Sequence, residues 1–156
     1  MSASPAGEVS RIADAWQKRD PQLIFIVGAA RSGTTMMSRI LGFHPSVLSF
    51  GELHFFEELW APEKSRPHMD RNRSSRLVAR LLTIQRDGYF NQGDPQQYMP
   101  EADTIVRALP DRPTHATLLQ AFLSYESDRR GKTIPCMQRR ATFTILWRSS
   151  RATREP

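Results

Sequence analysis

The residues best suited to chemistry lie close together: Gly28, Arg31, Ser32, Gly33, Thr34 and Thr35, followed by His44-Pro45 and then Glu52. The glycines let the backbone turn tightly and approach an anion closely. Arg31 supplies a planar, permanently charged fork that matches two oxygens of one group. The hydroxyls of Ser32, Thr34 and Thr35 add hydrogen-bond donors. An apolar run, Leu23 to Val27, precedes the loop, and a helical pattern opens at Thr34. The first amides of a helix have no intrahelical acceptor, and its dipole favours an anion there by roughly 0.3–1 kcal/mol. Strand, glycine-bounded loop and helix N-terminus together make a phosphate cradle, so the chain is expected to handle a phosphorylated ligand.

The spacing comes near the nucleotide loop G-x-x-x-x-G-K-[ST]. Gly28, Gly33 and Thr35 match, but Thr34 stands where the lysine belongs. That lysine reaches the β- and γ-phosphates, and its loss argues against ordinary nucleotide hydrolysis. The cation sits three residues earlier, at Arg31. A P-loop nucleotide-binding or kinase-like protein is the second reading. A plain strand–turn–helix junction in a non-catalytic remnant module is the third.

The stretch IFIVGAARSGTTMMSRILGFHPSVLSFGELHFF resembles the sulfotransferases that use 3′-phosphoadenosine 5′-phosphosulfate. The likeness runs from residue 22 to about residue 56 and is closest to the tyrosylprotein type and related bacterial proteins. Cytosolic members usually carry lysine at the position of Arg31. The resemblance implies that Arg31, Ser32, Gly33, Thr34 and Thr35 bind the 5′-phosphosulfate. Glu52 lies 21 residues beyond Arg31, where the tyrosylprotein type holds the glutamate thought to act as general base. It also implies a sulfuryl donor, 3′-phosphoadenosine 5′-phosphosulfate, a hydroxyl-bearing acceptor, and no metal. A carboxylate within hydrogen-bond reach can take the acceptor's proton, and Arg31 with the loop amides can stabilise charge on the departing phosphate.

Glu52 has a competing reading, because Glu52 to Trp60 looks helical and acids in a first turn are favoured by the dipole alone. His54 is an alternative base, since histidine titrates near neutral pH. His44, ahead of Pro45, is expected to end the preceding helix, because a residue before proline is pushed out of the helical region.

The elements that must position these residues follow from the pattern of apolar side chains. Val9 to Lys18 reads as a short amphipathic helix with Ile12 and Trp16 on one face. Leu23–Val27 is apolar throughout, as in a strand buried on both faces. Thr34 to Leu41 is the helix behind the loop, with Met36, Met37, Ile40 and Leu41 toward the core. Glu52–Trp60 is a third helix, and 61–72 a loop. Ser75–Arg86 is helical, with Leu77, Val78, Leu81 and Leu82 inward and Arg76, Arg80 and Arg86 on a solvated face. The segment 87–100 is a loop, Glu101–Ala108 a short helix, and Thr114–Ser127 a stronger one. Phe143–Trp147 reads as a strand. The fold class is therefore α/β: a P-loop-type parallel sheet with flanking helices, helix-rich and incomplete, equivalent to the N-terminal half of a sulfotransferase domain.

The chain has 156 residues, 39% hydrophobic and 24% charged, which suits one soluble domain. The longest apolar run is too short to cross a membrane, and Met1 to Glu8 lacks the pattern of a secretory signal. A single cysteine, Cys136, excludes an internal disulfide and a multi-cysteine metal site. A cytoplasmic protein is the simplest expectation. The net charge of +6 is uneven: residues 1–132 carry 17 basic and 15 acidic side chains, and residues 133–156 carry five arginines and one glutamate. No nucleic-acid motif accompanies that tail. Residues 131–136 resemble the start of the family's second strand, whereas the family's 3′-phosphate-binding arginine and serine have no match. Residues 1–136 are thus expected to form the N-terminal part of a sulfotransferase domain. Residues 137–156 read as a divergent basic tail of a truncated or frame-shifted product, with a sheet of only one or two strands.

Overall fold

The computed structural model describes residues 22–29, 31–59, 68–88, 90 and 93–140. The readings at Val9–Lys18, Trp60 and Phe143–Trp147 lie outside the described residues.

The β-branched and aromatic run forms β1 (Ile24–Gly28), and the loop after it leads into α1 (Thr34–Gly42). A short β2 (Val47–Ser49) follows, then a π-helical turn at Phe55–Leu59. Three longer helices come next: α2 (Arg71–Asp87), α3 (Met99–Arg107) and α4 (His115–Arg129). A 3-10 turn at Pro95–Tyr98 runs into α3, and β3 (Ile134–Arg140) closes the described chain. The three strands form one parallel sheet in the order β1-β3-β2. Ile24 pairs with Cys136 and Gly28 with Arg140, while Val47 pairs with Ile134. The α/β class with a small parallel sheet is as expected, and the sheet holds three strands rather than one or two. The central strand is β3, which runs through Cys136 and continues over Met137 to Arg140.

Three sequence expectations change. First, β1 is not uniformly buried: Leu23, Phe25 and Val27 are 39%, 37% and 58% exposed. Among the described residues β1 is an edge strand, and only the alternate side chains Ile24 and Ile26 are partly covered. Second, Met36, Met37 and Ile40 of α1 do not face the core. The helix docks on the sheet through small residues instead. Ser38 is buried and its hydroxyl bonds that of Ser49 at 2.6 Å. A Cβ on Gly42 would sit 3.0 Å from the Ser49 Cβ. Such close backbone approach leaves the bulky side chains on the outward face; Leu41 alone of the four is half-buried. Third, Glu52 does not begin a helix. His54 has φ +50, which breaks a helical path, and the helical turn starts only at Phe55. Leu53 and Phe55 are both buried, an alternation that extended chain provides and a helix does not.

The remaining helices build the core on the other side. Asp70 caps α2 by accepting from the Arg73 amide at 2.8 Å, so the helix starts four residues before Ser75. Thr114 caps α4 in the same way, through the Thr117 amide. Asp94 caps the 3-10 turn, which carries regular structure into the segment read as a loop. Leu77, Val78, Leu81 and Leu82 of α2 are buried as expected, and they pack in one cluster with Phe50, Ile105, Leu118, Phe122 and Met137. The Phe50 and Phe122 rings lie 5.7 Å apart.

Arg86 is not on a solvated face. Its side chain is 15% exposed and forks onto Glu101 at 2.6 and 2.7 Å, and it also pairs with the fully buried Glu126. Tyr125 donates to Glu101 at 2.6 Å. The cluster ties α2, α3 and α4 together. The Glu101 hydrogen bond, against the opposing effect of burial and with Glu126 adding, raises the Arg86 pKa further above its ordinary value. Burial would raise the Glu101 carboxyl, but the hydrogen bonds from Arg86 and Tyr125 outweigh it and hold the pKa below the ordinary value. No helix among the described residues is long and apolar enough to cross a membrane.

Two outcomes are expected of this cluster. Arg86→Met should cost roughly 3 kcal/mol, because it strands a buried carboxylate. Urea unfolding reads the loss, and a value under about 1 kcal/mol would show the cluster to be dispensable. The Glu101 carboxyl binds fewer protons folded than unfolded. Its contribution is therefore present above the unfolded value of about 4.3 and is lost as pH falls through the folded one. The urea midpoint should drop between about pH 5 and pH 3 more steeply in the wild type than in Glu101→Gln; equal slopes would exclude the coupling.

Candidate functional site

The site is built by the turn from β1 into α1. Ser32 donates its amide to the Ala29 carbonyl at 3.1 Å, which closes the loop on itself. A side chain at Gly28 would collide with the Ser32 hydroxyl and come within 2.7 Å of the Thr34 methyl, so only glycine fits there. Gly33 has φ +82, a left-handed conformation that glycine adopts without strain. Arg31 also has a positive φ, +65. Arg31 and His54 are the two non-glycine residues with positive φ among the described residues, and His54 is two positions from Glu52. Backbone held in such regions concentrates at functional sites.

At the N-terminus of α1, Gly33 caps without a side-chain hydrogen bond, and the first turn carries no acid. By contrast, α2 and α4 begin on side-chain caps from Asp70 and Thr114. The leading amides of α1 therefore remain available to an external anion. The absent Cβ at Gly28 lets the loop close on itself, and the uncapped helix start leaves amides free for an anion.

Of the residues singled out in the sequence, Arg31, Gly33, Thr34, Thr35 and Glu52 line one open cavity of about 710 Å³. Ser32 does not line it; its hydroxyl lies against Gly28. Glu52 reaches the cavity from the segment after β2, where the parallel register of β2 on β3 carries the chain to the loop's end of the sheet. Its Oε2 lies 3.7 Å from Nε2 of His54, and the two side chains are 26% and 20% exposed. That separation is too long for a hydrogen bond. His44 accepts from the Ser46 amide through Nδ1 at 3.2 Å and orders the turn after α1, the structural part its place before Pro45 implies.

Met36 and Arg39 also line the cavity and were not picked out in the sequence. The signal for Arg39 was available: it follows Thr35 by four residues, hence on the same helix face. A second cavity, of about 270 Å³, opens beside Leu23, Phe56, Leu119 and Pro135. Its lining includes no charged side chain, whereas the loop cavity is lined by Arg31, Arg39 and Glu52. Among the described residues no group of three or more His, Cys, Asp or Glu side chains is placed to hold a metal ion.

The model of the sulfotransferase family matches residues 21–133, which include the loop, Glu52 and all four helices. No curated protein and no solved structure matches the chain. With the greater part of its length matched, the chain belongs to the sulfotransferase family.

Proposed function

We propose that the loop cavity binds 3′-phosphoadenosine 5′-phosphosulfate and that the chain's chemistry is sulfuryl transfer to a hydroxyl-bearing acceptor. The observation that carries this reading is the convergence of Arg31, the uncapped start of α1 and Glu52 on one cavity. The donor, when bound, supplies the sulfuryl group. The leading amides of α1, with the hydroxyls of Thr34 and Thr35, hold the 5′-phosphosulfate. Ser32 contributes through the shape it gives the loop, since its hydroxyl packs on Gly28. Arg31 neutralises the negative charge that collects on the phosphate side as transfer proceeds. Glu52 accepts the proton from the acceptor hydroxyl. The acceptor is defined only by that hydroxyl. The single cysteine fits a cytoplasmic setting.

A nucleotide-binding reading is weaker on the loop's own chemistry. Thr34, at the position of the phosphate-reaching lysine, carries no charge.

Calorimetric titration separates the two. The chain should bind 3′-phosphoadenosine 5′-phosphate in preference to ATP with Mg²⁺, and Arg31→Ala should lower that affinity by about tenfold or more. Preference for ATP with Mg²⁺ would sink the sulfotransferase donor reading. Glu52→Gln should bind the same nucleotide unchanged while transfer to acceptor falls by about 10²-fold or more; equal transfer by both proteins would remove Glu52 as the base.

A further inference from the structure

The run that enters β1 reads almost the same in both directions: Leu23-Ile24-Phe25-Ile26-Val27. Among the described residues β1 pairs with β3 alone, so its outer edge carries no strand. Its side chains alternate between two faces. Leu23, Phe25 and Val27 stand exposed on one face, and Ile24 and Ile26 are half-buried on the other. Protected edges carry charge, proline or a bulge. Leu23 to Gly28 holds neither charge nor proline, and β1 runs along β3 in unbroken register.

Such an edge suits a copy of itself. Two β1 strands related by a two-fold axis perpendicular to the sheet run antiparallel and keep their faces matched. With the axis at Phe25, Leu23 lies opposite the partner's Val27, Ile24 opposite the partner's Ile26, and Phe25 opposite the partner's Phe25. Every pair is apolar, and aromatic and β-branched pairs of this kind stabilise a sheet. A slip of one residue would put the two faces out of step.

The helix α1 adds to the same side. Thr35 and Arg39 share the loop cavity with Glu52, which follows β2. Met37 and Leu41 lie about half a turn round the helix from them and so face the β1 side. Leu23, Phe25, Val27, Met37 and Ile40 each leave between 37% and 58% of their surface exposed. At roughly 150–250 Å² for a large apolar side chain, the five expose on the order of 400 Å² per copy. Two copies bring about 800 Å², and the paired strand backbone carries the total past the roughly 1,000 Å² that a specific interface needs.

We propose that the outer edge of β1, with the Met37 and Ile40 side of α1, is an interface for a second copy of this chain. The two three-stranded sheets then join into one continuous sheet across a two-fold axis. The paired strands run in opposite directions, so the two loop cavities open at opposite ends of the joined sheet and neither covers the other.

Sedimentation velocity of the full chain should show a dimer that dissociates on dilution. Val27→Lys should raise the dissociation constant at least about tenfold, with an unchanged far-UV dichroism spectrum as the sign of an intact fold. Cysteine pairing reads the register and decides the matter if that variant does not fold. Opposite residues of an antiparallel pair have Cα atoms about 4.5–5.5 Å apart, within disulfide reach. Under diamide oxidation Phe25→Cys should therefore link to its own copy. Val27→Cys should not, because residue 27 stands about 13 Å along the seam from the partner's Val27. The wild type, whose Cys136 is buried, is the control. A monomer at every concentration overturns the proposal, and so does a dimer that Val27→Lys leaves intact. Linkage of both cysteine variants alike, or of neither, also overturns it. Assembly beyond the dimer overturns it too, since a two-fold pairing closes on itself.

Discussion

The turn out of β1 has no room for a Cβ at Gly28, and the rest of the site depends on that one contact. With only hydrogen there, the chain can fold back so that Ser32 packs on Gly28 and donates to Ala29. Gly33 then takes a left-handed conformation and starts α1 without a side-chain cap. Backbone amides are thereby left pointing outward at the end of a strand. Such groups cost free energy unless something satisfies them, whether water or a ligand. The same turn places Arg31 and, further along the helix, Thr35 and Arg39 around the cavity.

The sheet supplies the second half of the site by topology. Parallel pairing with β3 in the centre brings β1 and β2 in with the same direction, so the segments that follow each strand emerge at the same end. The loop after β1 and Glu52 after β2 meet for that reason, although they are far apart in sequence. The helix α1 can lie close on this sheet because its contact residues are small: Ser38 and Gly42 against Ser49, with Cys136 beneath. Burial pushes the Cys136 thiol up, and its hydrogen bond with Ser38 acts against that. The bulky apolar side chains of α1 consequently face outward.

Stability comes from the opposite side of the molecule. There α2, α3 and α4 pack on Phe50, Leu53, Phe55 and Met137, and the buried Arg86–Glu101–Glu126 cluster joins them. Replacement of such a cluster by apolar side chains is often neutral or stabilising, whereas removal of one partner strands a buried charge. The glycine-bounded loop and the main core are thus carried by different elements, linked through the central strand.

The loop, its helix and the family were legible in the sequence because they rest on local chemistry. Gly28, Gly33, Arg31 and the hydroxyls sit within eight residues, and each acts through its own backbone or side chain. The apolar faces of α2 and α4 were legible for the same reason, since period 3.6 is a local property. What the sequence did not disclose depends on contacts between distant segments. Whether Met36, Met37 and Ile40 face the core depends on how closely α1 approaches the sheet, and that is set by Ser49. Whether Glu52 begins a helix depends on the burial of Leu53 and Phe55 against α4 and its neighbours, which favours extended chain over a helical turn. Whether Arg86 is solvated depends on carboxylates 15 and 40 residues away. The sequence alone determined the glycine-bounded loop between β1 and α1 and the family. Tertiary structure decided which side chains share its cavity, because strand order and close packing, rather than local propensity, set the distances between segments.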